Sequence, residues 1–255
     1  MSVRIPPLSL GPRLVGVASL LVAILAFEIL IRAGLINRYV VPLPSAIALS
    51  FERVIVEEHV ATRFLLTAGE ALSAGVLVTL VGVPFGIVMQ RVFILRRALE
   101  TWVAAFAAAP VVLAYPLFLV IFGRNPLTII MIGFVAGLAP VILKTIEGLS
   151  GVRRVLVNVG RSLKVTRSQQ FWKIEFPAAV PTIFTGLRLG LIFALINVVG
   201  VEFLINFGGL GQLINELAER YDLPGTYAAI CFVVLVSVAF FTVLERAERW
   251  LRPAQ

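Results

Sequence analysis

The chain has 255 residues, of which 60% are hydrophobic and only 14% are charged. Soluble domains average about 45–50% apolar and about 25% charged residues. Together with a mean hydropathy of +1.01, this composition excludes a water-soluble globular protein. One Cys and one His exclude a disulfide scaffold and leave too few ligands for a zinc site. The formal net charge of +8 is compatible with a nucleic-acid partner or with an orientation signal in a membrane.

Long apolar runs with few or no charges predict membrane-spanning helices. A helix needs about 20 apolar residues to cross a bilayer, and it pairs the backbone polar groups within such a run. The sequence therefore predicts an all-α polytopic membrane protein with six transmembrane helices, near residues 14–32, 65–90, 101–123, 125–143, 182–205 and 223–244. The first span is a retained helix, because Glu28, Arg32 and bulky residues stand where a signal peptide would have its small-residue cleavage site. We expect a tail at 1–13 and one membrane domain over 14–250.

The basic residues are unevenly distributed between the predicted loops. If the N-terminus is cytoplasmic, fifteen of the 22 Lys and Arg residues lie in inner segments and six lie in outer segments or at their edges. Arg188, the remaining one, lies within the fifth span. The excess inside predicts that both termini are cytoplasmic. It also explains the net charge without a nucleic-acid partner.

Part of the predicted outer surface is structured. In residues 33–63, Ser45 is suited to cap a helix, and apolar residues then recur at helical spacing at Ile47, Phe51, Val54 and Ile55. This pattern predicts either a short amphipathic helix along the outer interface or a solvated connector packed on the helix ends. The segment from Gly123 to Asn125 is long enough only for a tight turn.

The inner loop from Lys144 to Pro181 holds seven basic residues and has the pattern of two short helices. The first has an apolar stripe of Val155, Leu156, Val159 and Leu163. Thr166 followed by Gln169 is a capping-box pattern that starts a second helix carrying Phe171 and Trp172, which Pro177 is expected to end. Such apolar faces must be buried, either against the spans of the same chain or in a groove on a partner.

This loop resembles the cytoplasmic EAA loop of ABC importer permeases. The similar segments are NVGRSLKVTR at 158–167 and FPAAVP at 176–181, against a family pattern of roughly E-A-A-x-x-x-G followed by L-P-x-A-x-P. Further blocks resemble the nitrate/sulfonate/taurine branch of that family, namely VPLPS at 41–45, GVPFG at 82–86, TGLRL at 185–189 and GGLG at 208–211. The resemblance covers about residues 30–250.

The resemblance implies a type I ABC importer-like permease in a prokaryotic cytoplasmic (inner) membrane. It implies that the permease forms a dimer, either of two copies or with a second permease, and that it binds two ABC ATPase subunits. It also implies that an extracytoplasmic substrate-binding protein delivers the solute. The sequence contains no G-x-x-x-x-G-K-[ST] phosphate loop, so ATP hydrolysis by that route must occur in a partner. We predict no catalytic residues, no cofactor and no metal.

The loop departs from the family pattern at five positions, one of which is Phe176 in place of the Leu before Pro. Asn158 stands where the family has Glu, Val159 and Gly160 stand where it has Ala, and Lys164 stands where it has Gly. Asn158 supplies no carboxylate to an ATPase, although it can hydrogen-bond or cap. We expect Lys164 to be poorly suited to the left-handed turn that a Gly adopts freely.

Polar and small residues within the spans permit two interpretations each. Asn197 and Glu202 either line the translocation pathway or make structural hydrogen bonds between helices. Two segments within the spans form either a hinge or a close helix contact. They are Gly82 and Gly86 with Pro84, and the Ala-rich run 104–109 before Pro110. Glu28 and Arg32 are expected to pair, and Arg188 to extend to the inner interface or to brace the loop, while His59 and Cys231 are expected to be structural.

We therefore predict a permease subunit of an ATP-driven importer for a small solute. The docking contacts are Val159, Leu163, Phe171 and Trp172, and Pro177 fixes the angle at which the chain leaves the loop. The alternatives are a self-contained channel or ion-driven carrier, and a membrane-embedded enzyme. Nitrate, sulfonates, taurine and other small organic molecules all remain possible solutes.

Overall fold

The computed structural model describes residues 10–251, so most of the predicted tail (residues 1–9) lies outside it. Within that range the chain forms eleven α-helices and no strand. The long helices are α1 (Leu10–Arg32), α3 (Val60–Arg91), α6 (Pro126–Ser150), α9 (Phe176–Ile205) and α11 (Leu223–Leu251). The short ones are α2 (Pro44–Glu57), α4 (Phe93–Ala107), α5 (Tyr115–Phe122), α7 (Arg154–Ser162), α8 (Arg167–Gln170) and α10 (Gly209–Glu219). A 3-10 turn (Val111–Ala114) precedes α5, and a π-helical turn (Phe171–Glu175) joins α8 to α9.

Among the described residues, the five long helices are each long and apolar enough to cross a membrane, which confirms the predicted fold class. Several continue past the predicted ends of their spans. For example, α6 runs on through Lys144 and Glu147 to Ser150, because charged residues are compatible with a helix once it leaves the hydrocarbon. The loop predicted to start at Lys144 therefore starts after Ser150.

The predicted third span, 101–123, is not one straight helix. The helix pair α4 and Val111–Phe122 is bent by 91° at the break between them, and counting it as one span gives six. The break follows from Pro110, which has no N–H to donate to the preceding turn and whose ring obstructs it. Ala108 and Ala109 instead donate to Ala105 and Phe106 in a tighter, 3-10-like ending of α4.

The core forms where α9 packs against α6 and α3. Glycines allow the closest approach, because a Cβ at Gly137 would lie 2.7 Å from the Gly190 carbonyl oxygen, and a Cβ at Gly190 would lie 2.8 Å from that of Gly137. Gly86 of α3 lies similarly close to α6, because a Cβ at Gly86 would lie 2.7 Å from the Cβ of Thr145. Of the two interpretations of Gly86, the structure therefore favours close helix packing.

The bundle has two ends, which we call the loop end and the far end. The loop end carries α7 and α8, and the far end carries α2 and α10. At the far end Glu28 and Arg32 form the predicted ion pair at 2.7 Å. Ser45 does not cap α2 with its side chain, because Pro44 starts that helix, and the Ser45 N–H and hydroxyl both donate to Glu28. The predicted amphipathic helix is confirmed as α2, which packs on α11 through the buried Val54.

Ion pairs join the helices at the far end. Arg63 at the start of α3 pairs with Glu216 of α10 at 2.7 Å, and Arg220 pairs with Glu58 at 2.8 Å. Arg53 of α2 pairs with Asp222 just before α11, and this hydrogen bond raises the pKa of the Arg53 guanidinium above its ordinary value. Helices α2, α3, α10 and α11 are thus linked by charge as well as by apolar packing.

Candidate functional site

The connection between α7 and α8 is a structured turn. The Val165 N–H donates to the Gly160 carbonyl and the Lys164 N–H donates to the Arg161 carbonyl, which are the two hydrogen bonds of a Schellman motif. Lys164 has φ +53°, so it adopts the left-handed conformation for which we expected it to be poorly suited. The two hydrogen bonds offset a cost of about 1–2 kcal/mol for a non-glycine residue.

The second helix of the loop begins as predicted. The Thr166 hydroxyl accepts from the Gln169 N–H at 3.3 Å, and the Gln169 side chain accepts from the Thr166 N–H at 3.0 Å. This capping box satisfies backbone donors that the helix itself leaves free. The turn and the cap together hold α7 and α8 in a fixed relative orientation.

Three of the four residues of the predicted apolar stripe on α7 point away from the rest of the chain, whereas Leu156 is half-buried. Val155 is 70% exposed, Leu163 is 71% exposed and Val159 is 49% exposed, and we call these three residues the exposed stripe. On the opposite side, Gly160 is buried, and a Cβ there would lie 2.7 Å from Ile174. An amphipathic helix normally turns its apolar face inward, so an outward-facing stripe marks an interaction surface. Asn158 is also exposed on this helix.

Phe171 anchors the loop and is not available as a docking contact. Its side chain is only 5% exposed, and the guanidinium of Arg91 lies 3.9 Å from the centre of its ring. Trp172 meets Phe171 edge to face at 5.0 Å but is itself exposed. The sequence predicts both aromatic residues in the docking surface, whereas only Trp172 is accessible there. Arg91 is the last residue of α3 and gave no signal in the sequence.

Pro177 does not end the second loop helix. The helix runs on through the π-helical turn into α9, giving a continuous helical segment of 39 residues from Arg167 to Ile205. Pro177 sits in the first turn of α9, and the wider π-helical turn just before it accommodates the missing N–H and the ring. The loop is therefore joined directly to the central helix of the bundle.

The loop surface is strongly basic. Six exposed Arg and Lys residues surround the exposed stripe and Trp172, and none of them forms an ion pair with another described residue: Arg153, Arg154, Arg161, Lys164, Arg167 and Lys173. Beside them is a cavity of 860 Å³ lined by Arg91, Arg161, Arg167 and Glu175, among others. The surface thus combines an apolar centre with uncompensated positive charge.

Asn197 and Glu202, the predicted pathway residues, are both buried inside the subunit. The Asn197 amide donates to the Phe193 carbonyl at 2.9 Å within α9, and Glu202 is fully buried. The two residues lie on different sides of α9, yet both are buried because α3, α6, α10 and α11 surround that helix. Both side chains make hydrogen bonds inside the subunit, which favours the structural interpretation for each of them.

Glu202 holds the N-terminus of α10. One of its carboxylate oxygens, Oε2, accepts from the Gly211 N–H at 2.9 Å and from the Thr67 hydroxyl at 3.0 Å. The same hydroxyl accepts from the Leu210 N–H at 2.9 Å. Gly209 has φ +79°, and a Cβ there would overlap the Glu202 carboxylate, so the glycine-rich segment is required for this approach. Thr67 was not singled out in the sequence.

Arg188 is fixed at the loop end of α9. Its guanidinium pairs with Glu248 of α11 at 2.9 Å and lies 5.2 Å from the centre of the Phe241 ring. The Thr185 hydroxyl donates to the same carboxylate at 2.8 Å. These contacts join α9 to α11 and not to the loop, so Arg188 braces two spans against each other instead of bracing the loop.

Comparison with known proteins identifies the family. The sequence model of the binding-protein-dependent transport system inner membrane component family matches residues 82–254. A probable ABC transporter permease of Brucella melitensis is 30% identical over 180 residues, covering 71% of this chain and 73% of the relative. The taurine transport system permease protein TauC of Escherichia coli is 29% identical, covering 68% of this chain and 63% of the relative.

The fold agrees with that result. A chain of the methionine ABC transporter MetNI, solved in inward-facing conformations, superimposes with a TM-score of 0.67 at 17% identity and covers 76% of this chain and 96% of its own length. The family consists of membrane-embedded, generally non-catalytic permease subunits, and its description implies ATPase and substrate-binding-protein partners. The chain belongs to the family of binding-protein-dependent transport system inner membrane components, and it is a permease subunit of an ABC importer.

Proposed function

We propose that this permease carries a small solute across the inner membrane when the loop of residues 151–176 docks on an ATPase subunit that hydrolyses ATP. The observation that carries the proposal is the exposed stripe of α7, held by a capped turn and joined to α9 without a flexible break. Leu163 and Trp172 are the principal docking contacts. Phe171 and Arg91 position the loop.

The charge of the loop defines the groove that receives it. The exposed stripe fits an apolar groove, and the six unpaired basic residues around it favour acidic side chains at the rim of that groove. Asn158 fits the same scheme, because the family's Glu at this position would reduce the positive charge of the surface. We therefore assign an acidic rim to the ATPase that this permease recognises.

The helical continuity explains how docking is coupled to transport. The segment Arg167–Ile205 has 39 residues, which at 1.5 Å per residue is about 58 Å of helix. A displacement of α8 by the ATPase therefore moves the whole of α9. Since α9 contacts α10 at the far end, the same movement reaches the surface where a binding protein delivers its solute.

The remaining parts of the assembly follow the family. Both termini are cytoplasmic, the loop end faces the two ATPase subunits, and residues 14–250 form one membrane domain. The permease works as a pair, most simply a homodimer, and α1 is almost wholly exposed within one subunit and so is available to contact a second copy or lipid. The solute is a small molecule such as taurine, another sulfonate or nitrate.

The test is reconstitution with the cognate ATPase and binding protein in proteoliposomes. We expect ATP-dependent uptake that requires all three components. Leu163→Glu and Trp172→Glu should each abolish uptake and weaken ATPase retention, without preventing membrane insertion. Because burying the exposed part of one Leu is worth about 1.5 kcal/mol, loss of that contact alone weakens retention about tenfold.

The matched control is Leu49→Glu on α2. Leu49 is 82% exposed at the far end, so this variant should retain the ATPase as the wild type does. Normal uptake by the Leu163 and Trp172 variants would contradict the docking proposal. Uptake by the purified chain alone would instead support a self-contained channel or carrier.

A further inference from the structure

The break between α4 and α5 lies at membrane depth. Val111, directly after the break, is buried in a cluster with Ile132 and Ala136 of α6 and with Val198 of α9. Ile132 and Ala136 are six and ten residues from the far end of α6, which corresponds to about 9–15 Å. The hydrocarbon core of a bilayer is about 30 Å thick, so the break lies inside it.

The backbone at the break is both exposed and unpaired. Ala108, Ala109 and Pro110 are exposed on the surface of the subunit. The carbonyl groups of Ala107, Ala108 and Ala109 accept no hydrogen bond from any described residue. Irregular backbone does not face lipid tails, because each unpaired polar group there costs several kcal/mol, and it occurs at such depth only inside protein or along a water-filled cavity.

A cavity lies on the far-end side of the break. It has a volume of 510 Å³ and lies between α5 and the end of α9, lined by Tyr115, Leu119, Leu204 and Ile205 with Arg124 and Asn206 at the far end. Tyr115 is the first residue of α5, one turn after the break. Its hydroxyl donates to no described residue, so it is free to bond water or a solute. The cavity therefore follows the broken backbone along the chain, and its polar lining residues are Tyr115, Arg124 and Asn206.

We propose that the segment Ala107–Val111 lines the translocation pathway and offers its main-chain carbonyls to a small polar solute that carries hydrogen-bond donors, or to the water around that solute. The proposal rests on the proposed function and places the pathway on the α5 face of α9. Glu202, buried beside α3 and α10, lies off this route.

The test is the reactivity of a single cysteine introduced at the break. Cys231 is first replaced by Ala, and Ala109→Cys is then treated with a membrane-impermeant methanethiosulfonate in the assembled complex. The matched control is Val22→Cys in α1, which is 65% exposed and lies in the middle of its span. Since thiol reagents react with the hydrated thiolate, Ala109→Cys should react about tenfold faster or more, and its modification should block uptake.

Three results would overturn the inference. Ala109→Cys could react as slowly as Val22→Cys, it could react without affecting uptake, or it could form a disulfide with the second copy and resist the reagent. Ala108→Cys serves as a second variant if the first fails to assemble. The labelling step requires no ATP. If the complex transports but Ala109→Cys does not react as expected, this inference fails while the proposed function stands. If the complex does not transport at all, the proposed function fails.

Discussion

The structural role of Glu202 gives a quantitative prediction. Glu202→Ala removes the oxygen that accepts the Gly211 N–H at 2.9 Å and the Thr67 hydroxyl at 3.0 Å. Glu202→Gln is the matched control. Because both donors meet the same carboxylate oxygen, the single carbonyl oxygen of Gln has lone pairs for both of them.

The expected magnitudes follow from these contacts. The Thr67 hydroxyl also lies 3.2 Å from the Arg63 carbonyl oxygen, so it keeps an acceptor and only the Gly211 N–H loses its partner in Glu202→Ala, at a cost of about 2 kcal/mol. At about 2–4 °C per kcal/mol for a chain of this size, the midpoint of thermal unfolding should fall by about 6 °C. Glu202→Gln keeps both hydrogen bonds in neutral form and should lower the midpoint by no more than about 3 °C.

The measurement is thermal unfolding of the purified permease in detergent, beside uptake by the reconstituted complex. Thr67→Val provides an independent check, because it leaves the Leu210 N–H unpaired while retaining Glu202. We expect Thr67→Val to be destabilised as well. If Glu202→Ala unfolds at the wild-type temperature but abolishes uptake, Glu202 acts in the pathway and the structural reasoning is wrong.

Three further predictions concern the loop. Lys164→Gly removes the strain of the left-handed residue, so the turn should gain about 1 kcal/mol and the midpoint of thermal unfolding should rise by about 3 °C; an unchanged or lower midpoint would count against the Schellman turn. Phe171→Ala should lower the unfolding midpoint and weaken ATPase retention, because it deletes a buried ring worth about 3–5 kcal/mol. Trp172→Ala should weaken ATPase retention but leave the unfolding midpoint nearly unchanged. A similar loss of stability in Phe171→Ala and Trp172→Ala would contradict the assignment of Phe171 as the anchor and Trp172 as the docking contact.

The sequence predicts the helices well where apolar composition decides the structure. The apolar runs that form α3, α6 and α9 are predicted correctly. The errors at the ends of these helices arise because a helix continues into water when charged residues permit it. Hydropathy gave no sign of the bend in the third span, since the Ala-rich run and Pro110 have the same composition whether the helix is straight or broken. The capping box at Thr166 was recognised because it is a local pattern.

The errors in the candidate site arise from contacts between distant residues. Phe171 is buried because Arg91, eighty positions earlier in the chain, lies over its ring. Ser45 lies inside α2 and not at its N-cap, and its hydroxyl donates to Glu28 of the preceding helix. Glu202 is buried because Thr67 and the α10 glycines close around it. In each case the partner belongs to another helix, and spacing along one helix cannot identify it.

The docking of α7 on the ATPase is tested most directly by protection of Leu163. In a permease with Cys231→Ala, a maleimide should label Leu163→Cys rapidly, because Leu163 is 71% exposed. Bound ATPase should slow this labelling about tenfold or more by excluding water from the thiol, while Leu49→Cys at the far end should label at the same rate with and without ATPase. Equal labelling of Leu163→Cys in the free permease and in the assembled complex would contradict the proposed docking surface.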